Sequence, residues 1–151
     1  MNELVRSELR PCSQAQIDNL EELGRAVEKL METNPKEIRT EHHLHAGVYS
    51  RTLYVPANTI VVGLLIKVPT QLIACGDFEL TDGGKVIAFR GYHIFDGAPY
   101  RQAAVRTHKP SAFTMLFATN AKTVEEAENE FTDEPERLLT RKEKLVCRVV
   151  G

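Results

Sequence analysis

Four basic side chains, Arg51, Lys67, Arg90 and Arg101, fall in or beside short apolar runs in the middle of a 151-residue chain. Gathered at one mouth with Tyr49, Gln71 and Tyr100, they would make a positive, hydrogen-bonding lining suited to an anionic or polar small molecule. On outer faces the same cations would simply be solvated. A second cluster, Glu41-His42-His43-Leu44-His45, contains an H-x-H pair. On a strand His43 and His45 would share a face, and with Glu41 they would suit iron, nickel or zinc; in a loop they are only polar. His93 stands between Tyr92 and Ile94, alone on its run, and reads as a hydrogen-bonded barrel residue. His108 belongs to the turn Thr107-His108-Lys109-Pro110. Cys12, Cys75 and Cys147 are isolated, which argues against a zinc site or a disulfide framework. Cys75 follows an apolar run and is expected to be an inert core thiol. No nucleophile elbow surrounds Ser50, Ser111 or any cysteine.

These groups need elements to hold them. Residues 53–105 alternate short apolar runs with turn signals at Pro56-Ala57-Asn58, Pro69-Thr70, Gly76-Asp77, Asp82-Gly83-Gly84, Gly91 and Asp96-Gly97-Ala98-Pro99. That spacing predicts an all-β sandwich or barrel. Strands are expected over 48–55, 60–66, 71–75, 78–81, 85–89, 92–95, 100–106 and 113–119, about eight, enough to close a small barrel. In the first, Tyr49, Arg51, Leu53 and Val55 share one face, and Val48, Ser50, Thr52 and Tyr54 the other. Residues 60–66 read as a buried strand covered on both faces, and Gly76-Asp77 as the turn of a tight hairpin.

Helices flank the barrel. Ser13 and Gln16 have capping-box spacing, and Ile17, Leu20, Val27, Leu30 and Met31 then recur as one apolar stripe until Asn34-Pro35 stops the helix. Thr123 and Glu126 open a second helix with a short stripe of Val124, Ala127 and Phe131. An acidic block and then a basic one follow, read as solvated helix faces or as an arm docking on another subunit through Leu138, Leu139, Leu145 and Val146. The resulting organisation is a helical segment over 1–38, a barrel over 39–120 and a charged helical tail over 121–151.

Nineteen basic and 21 acidic side chains leave a net charge of −2, which disfavours nucleic-acid binding by bulk electrostatics. The longest apolar run, 60–66, is too short to span a membrane. The first residues, MNELVRSELRPCS, lack an apolar secretory core. A reducing cytoplasm is the expected setting.

With the strands placed, YVPANT resembles the cupin "IPAGT" turn, with Asn58 in place of glycine, and GDFELTDGG resembles the glycine-marked hairpin that closes the first cupin motif. The phrases HHLHAGVYSR, YVPANT, LIACGDFELTDGGKV, APYR and ATNAKTVEEAENEF, in this order, resemble short single-cupin proteins encoded by phages and prophages, over residues 13 to 131. The resemblance implies a mainly β, double-stranded β-helix barrel with a helix on either side, associating through barrel strands into a homodimer or larger homo-oligomer.

Cupin chemistry usually rests on a metal held by histidines and a carboxylate. Counting back from Gly76, the resemblance puts the first ligand pair at Leu65 and Pro69, or with one gap at Ile66 and Thr70, and the second motif's histidine at Arg101 or Gln102. None of these is a metal ligand, and arginine keeps its charge. The expectation is therefore a metal-free, cofactor-free barrel that binds a small polar or anionic ligand without catalysis. Arg101 is its anchor, and Tyr49, Lys67 and Gln71 are secondary contacts. Two alternatives stand beside it: a phage-encoded structural or host-interaction protein, and a cupin enzyme (isomerase, lyase or oxygenase) using a displaced metal at Glu41, His43, His45 or His93, or acid–base residues such as His93 and Tyr49.

Overall fold

The computed structural model describes residues 8–82 and 84–138. In chain order the elements are β1 (Glu8–Leu9), α1 (Gln14–Thr33), β2 (Arg39–His45), β3 (Val48–Val55), β4 (Ile60–Val62), β5 (Thr70–Asp82), β6 (Lys85–Gly97), β7 (Ala104–Thr107), β8 (Ser111–Ala118), α2 (Val124–Phe131) and a single 3-10 turn, Pro135–Arg137. The architecture is mainly β with a helix before the barrel and a short one after it, as expected. Leu139, Leu145 and Val146 lie outside the described residues.

The long hairpin of β5 and β6 is shared by two sheets. The two strands pair antiparallel from Thr70 opposite Gly97 to Asp82 opposite Lys85. The first half of β5, Gln71 to Cys75, pairs with β8, and beyond it lie β3 and β2. Its second half, Phe78 to Leu80, pairs with β7, which pairs in turn with β4. The change of sheet occurs at Gly76, which lies opposite Gly91. Both have positive φ, +152° and +84°. A side chain at Gly76 would put its Cβ 2.5 Å from Cβ of Ser111, where β8 begins. The sequence predicts a hairpin turn at Gly76-Asp77 and a break between strands at Gly91. Instead each strand bends there and continues, to the last pair of the hairpin at Asp82 and Lys85.

Other elements also depart from expectation. Residues 60–66 form a strand only as far as Val62; Gly63 then bonds through its N–H to Ala103 O, and the chain runs on irregularly. Ile60 is exposed, so this strand is not covered on both faces. Residues 39–45, expected as a loop, form β2, joined to β3 by Ala46 and Gly47. Both turn residues have positive φ (52° and 73°), the handedness of a two-residue type I′ hairpin. A two-residue strand, β1, joins β6 in parallel before the first helix.

Of the two faces that alternation gives β3, the inward one carries Tyr49, Arg51 and Val55, all buried. Two apolar clusters fill the interior. One centres on Phe78, Phe95 and Phe113, the other on Tyr49, Phe117 and Phe131, with Leu138 packed into it. Leu138 therefore covers the chain's own barrel, against its expected role in an arm reaching another subunit. Each buried aromatic of this kind contributes about 1.5–3 kcal/mol by removal from water.

Ser13 caps α1 as expected, with both halves of the capping box formed. At α2, Thr123 Oγ1 accepts from Glu126 N–H, but the Glu126 carboxylate accepts from Lys122 N–H rather than closing the box. None of α1 is fully buried, and Leu30 of its expected apolar stripe is exposed. Gly24 faces β4, where a methyl would sit 3.6 Å from Val62 Cγ1, an ordinary contact.

The two glycines predict opposite outcomes. Gly24→Ala stabilises by about 0.5–1 kcal/mol through helix propensity. Gly76→Ala costs about 3 kcal/mol or more, from a disfavoured φ and the collision with Ser111. Denaturant melts of the two variants against the parent measure both.

Candidate functional site

Two guanidinium groups enter the barrel, and they are treated differently. Arg51 points inward from the middle of β3, between Tyr49 and Leu53 on the same face. Its Nη1 lies 3.2 Å from Glu128 Oε2, and both side chains are nearly inaccessible. Glu128 comes from α2, on the helix face that also buries Ala127 and Phe131. Tyr49, fully buried, shares a 2.7 Å hydrogen bond between its Oη and His42 Nδ1 and stacks on Phe131. Burial pushes the Tyr49 pKa up to about 12; Arg51 works against that shift and Glu128 adds to it. Tyr49 therefore keeps its proton at neutral pH and offers no general base. The Arg51–Glu128 pair cancels its own charge.

Arg101 has no such partner. The strand-like segment that holds it is clamped on both sides. Cys12 N–H donates to Tyr100 O at 2.9 Å, and Cys12 Sγ meets Gln102 O at 3.2 Å and Gln102 N at 3.3 Å. On the other side Ile66 and Arg101 exchange backbone hydrogen bonds of 2.8 and 3.2 Å. Tyr100, at φ +58°, turns the chain so that its own ring is exposed while Arg101 goes in. The side chain is 4% exposed. Its guanidinium lies flat on Gly97, where a methyl group would come within 2.7 Å of Cζ. Nη2 donates to Thr70 Oγ1, and Nε is buried without a partner. No Asp or Glu side chain pairs with it among the described residues. Burial pulls its pKa down and the nearby Cys12 thiol pulls it up; an arginine so placed is still charged at neutral pH. Beside it, the buried Gln102 donates through Nε2 to Glu21 Oε1 and Gly63 O, and its Oε1 has no partner. Glu21 also binds Arg137 at 3.0 Å, and that hydrogen bond holds its carboxyl below the usual range.

The structure separates the expected set. Arg101 and Tyr49 both face the interior. Lys67 sits beside Ile66 but pairs with the exposed Asp133 at 2.8 Å. Gln71 is exposed on the outer face of β5, because its neighbour Thr70 points inward. Arg90 is also outside, with an 87% exposed side chain 3.6 Å from Asp77. Neither Lys67 nor Gln71 reaches Arg101. Glu41, His43 and His45 share the outer face of β2, where His43 Nε2 lies 2.8 Å from Glu41 Oε1. His93 Nε2 meets Arg90 O at 2.7 Å and its ring packs between Phe89 and Phe95, the barrel role expected of it. Cys75, expected in the core, is exposed, since the odd residues of this half of β5 face out. It borders a shallow groove of about 560 Å³ with Arg39, Tyr54 and Ser111.

Sequence reasoning passed over Thr70 as a contact, Gly97 as a floor, His42 as the partner of Tyr49 and Glu128 as the partner of Arg51. A signal existed for Glu128: it lies four residues after Val124 and three before Phe131, squarely on the apolar stripe. Of the two ligand pairs that the cupin resemblance allows, the one with a gap meets Arg101, Ile66 bridging to it and Thr70 bonding to it. They supply an alkyl chain, a hydroxyl and a cation, a set that does not fit a metal ion. Among the described residues, no three His, Cys, Asp or Glu side chains gather as a metal-binding group.

Tyr49 makes stability pH-dependent at the alkaline end. The unfolded chain releases a tyrosine proton near pH 10, whereas the folded chain holds it to about pH 12. The contribution is complete below pH 10 and is lost as pH rises towards 12, by roughly 2–3 kcal/mol. The stability difference between the parent and Tyr49→Phe is expected to be constant up to pH 10 and to shrink above it, as followed by urea melts across that range.

No protein-family model matches the sequence, and no curated protein matches it. Among solved structures, the chain is similar to the cupin_2 domain of an XRE family transcriptional regulator from Enterobacter cloacae, at 10% identity and a TM-score of 0.45, over 56% of this chain and 98% of that one. It is similar to KdgF from Halomonas sp. at 13% identity and a TM-score of 0.46, over 56% of this chain and 82% of that one. A cupin superfamily protein from Desulfitobacterium hafniense DCB-2 gives 9% identity and a TM-score of 0.46, over 56% and 79% of the two chains.

Proposed function

We propose that this protein is a metal-free, cupin-like barrel that binds a small anion without catalysis, with Arg101 as the anchor and Thr70 and Gln102 beside it. One observation carries the reading: a 4% exposed guanidinium with no carboxylate partner among the described residues and an unbonded Nε. An uncompensated buried charge costs several kcal/mol, so the residue is out of place in a purely structural barrel. Arg51, in the same interior, has its carboxylate in Glu128. An anion accepting from Nε, with the adjacent hydroxyl and amide, would neutralise the charge and complete the hydrogen bonding. The free thiols of Cys12 and Cys75 suit a reducing cytoplasm. A second reading, a phage-encoded structural or host-interaction protein, is favoured by the exposed apolar residues of β6.

The test is a thermal-shift and calorimetric series with inorganic phosphate, sulfate, nucleotides, sugar phosphates and small dicarboxylates on the parent, Arg101→Lys and Arg101→Met. At about one hundred times its Kd, a true ligand stabilises the parent by about 2.7 kcal/mol. Arg101→Met loses that response while folding at least as stably as the ligand-free parent, because the variant removes an unpaired buried charge. If no anion stabilises the parent, or Arg101→Met responds equally, the anchor role is wrong and the interaction reading stands instead.

A further inference from the structure

We propose that the groove beside Cys75, on the outer face of the sheet, binds a free α-amino acid with an apolar side chain. The site is separate from Arg101, and the inference does not rest on the role proposed for that residue. One in-register row of side chains builds it. Arg39 opposes Tyr54, Tyr54 opposes Ala112, Ala112 opposes Cys75, and Cys75 opposes Tyr92. Directly opposed residues share a face of a sheet. Here it is the outer face, where Cys75 and Tyr92 are exposed. Ala112 has the smallest side chain of the row. Tyr54 and Cys75 stand two strand spacings apart, about 9.6 Å, with only a methyl group between them. That gap admits one aromatic ring or one branched aliphatic chain. Pro56 and Pro110 add rigid apolar walls. The groove holds about 560 Å³, a size common among small-molecule sites.

The charges at the rim decide the head group of the ligand. Glu37 and Arg39 both line the groove and are both exposed. Neither forms an ion pair among the described residues. Arg39 lies instead over the Tyr54 ring, its Cζ 4.2 Å from the centroid. The ring is also held by its hydroxyl, which donates to Glu41 Oε2 at 3.0 Å. Glu41 is bonded to His43 as well, so that carboxylate is already engaged. One cation and one anion without counter-ions, beside an apolar trough, complement a zwitterion with an apolar side chain. The ligand carboxylate accepts from the Arg39 guanidinium, and the ligand ammonium donates to the Glu37 carboxylate. The side chain then drops onto Ala112 beside Tyr54. A simple organic acid would meet Arg39 but be repelled by Glu37, and a simple amine would meet the reverse. A peptide separates its terminal charges along its length. A free amino acid carries both on one carbon, which suits two rim residues only two positions apart.

Alkylation of Cys75 reports on the groove. The full chain is treated with iodoacetamide, and the rates at Cys75 and Cys12 are read separately by peptide mass. L-phenylalanine or L-leucine at millimolar concentration is expected to slow the reaction at Cys75 and to leave Cys12 unchanged. Glycine, phenylpropionate and phenethylamine each lack one part of the ligand. They are expected to need about tenfold higher concentrations for the same protection. Arg39→Gln and Glu37→Gln, both at exposed positions, are expected to weaken protection by a similar factor. Ala112→Leu is expected to abolish it with an unchanged far-UV spectrum. Arg101→Met is expected to leave it intact, which separates the groove from the barrel interior. Absence of protection by both amino acids, equal protection by phenylpropionate, protection that survives Arg39→Gln or Ala112→Leu undiminished, or loss of protection on Arg101→Met overturns the proposal.

Discussion

A single bend shapes this molecule. One hairpin serves two sheets because its strands turn at Gly76 and Gly91 without breaking their ladder. The first half of β5 then meets β8 and the second half meets β7, and the space between the two sheets becomes the interior. The requirement is steric. Ser111 stands where a side chain of residue 76 would go, with its Oγ accepting from Asp77 N–H and donating to Lys109 O. Close approach of β8 to β5 depends on that missing side chain, and so does the enclosure of Phe78, Phe95 and Phe113 in one cluster.

Within that enclosure the electrostatics are uneven. Arg51 and Glu128 form a pair cut off from water, beside a tyrosine that burial keeps protonated. The arrangement is neutral, and its hydrogen bonds fix how α2 seats against the sheet. Arg101 brings a positive charge to the same interior with a hydroxyl and a bare backbone beneath it. A barrel that needed only to be filled would hold an aliphatic side chain there. The contrast between the two arginines is the strongest functional signal in the fold.

Much of this was legible in the residues, and the failures have physical causes. Strand 48–55 and the division of its residues between two faces follow from alternation alone, and Ser13 with Gln16 announces the start of α1. Gly76-Asp77 was misread because a glycine that bends a strand and one that reverses it look the same locally; the difference lies in β7 and β8, distant in sequence. Strand β2 was missed because RTEHHLH holds a single aliphatic residue and owes its conformation to β3. Arg101 could be singled out, but its companions could not. Lys67 and Gln71 are near it in sequence register, yet an ion pair with Asp133 occupies one and the alternation of β5 sends the other outside. Arg51 reads from the sequence as either a mouth lining or a solvated outer charge, and neither reading could show its counter-ion, which comes from a helix 77 residues further on.

The carboxylate of Glu21 joins parts of the chain that are far apart. It accepts from Gln102, 81 residues away, and from Arg137, 116 residues away. Contacts across such separations close large loops, so they form after the local hairpins during folding. Helix α1, the segment beside Arg101 and the 3-10 turn are therefore expected to lock last and to release together. In native-state amide exchange they would behave as one cooperative unit, of lower stability than the β5–β6 hairpin, although they come from opposite ends of the described chain.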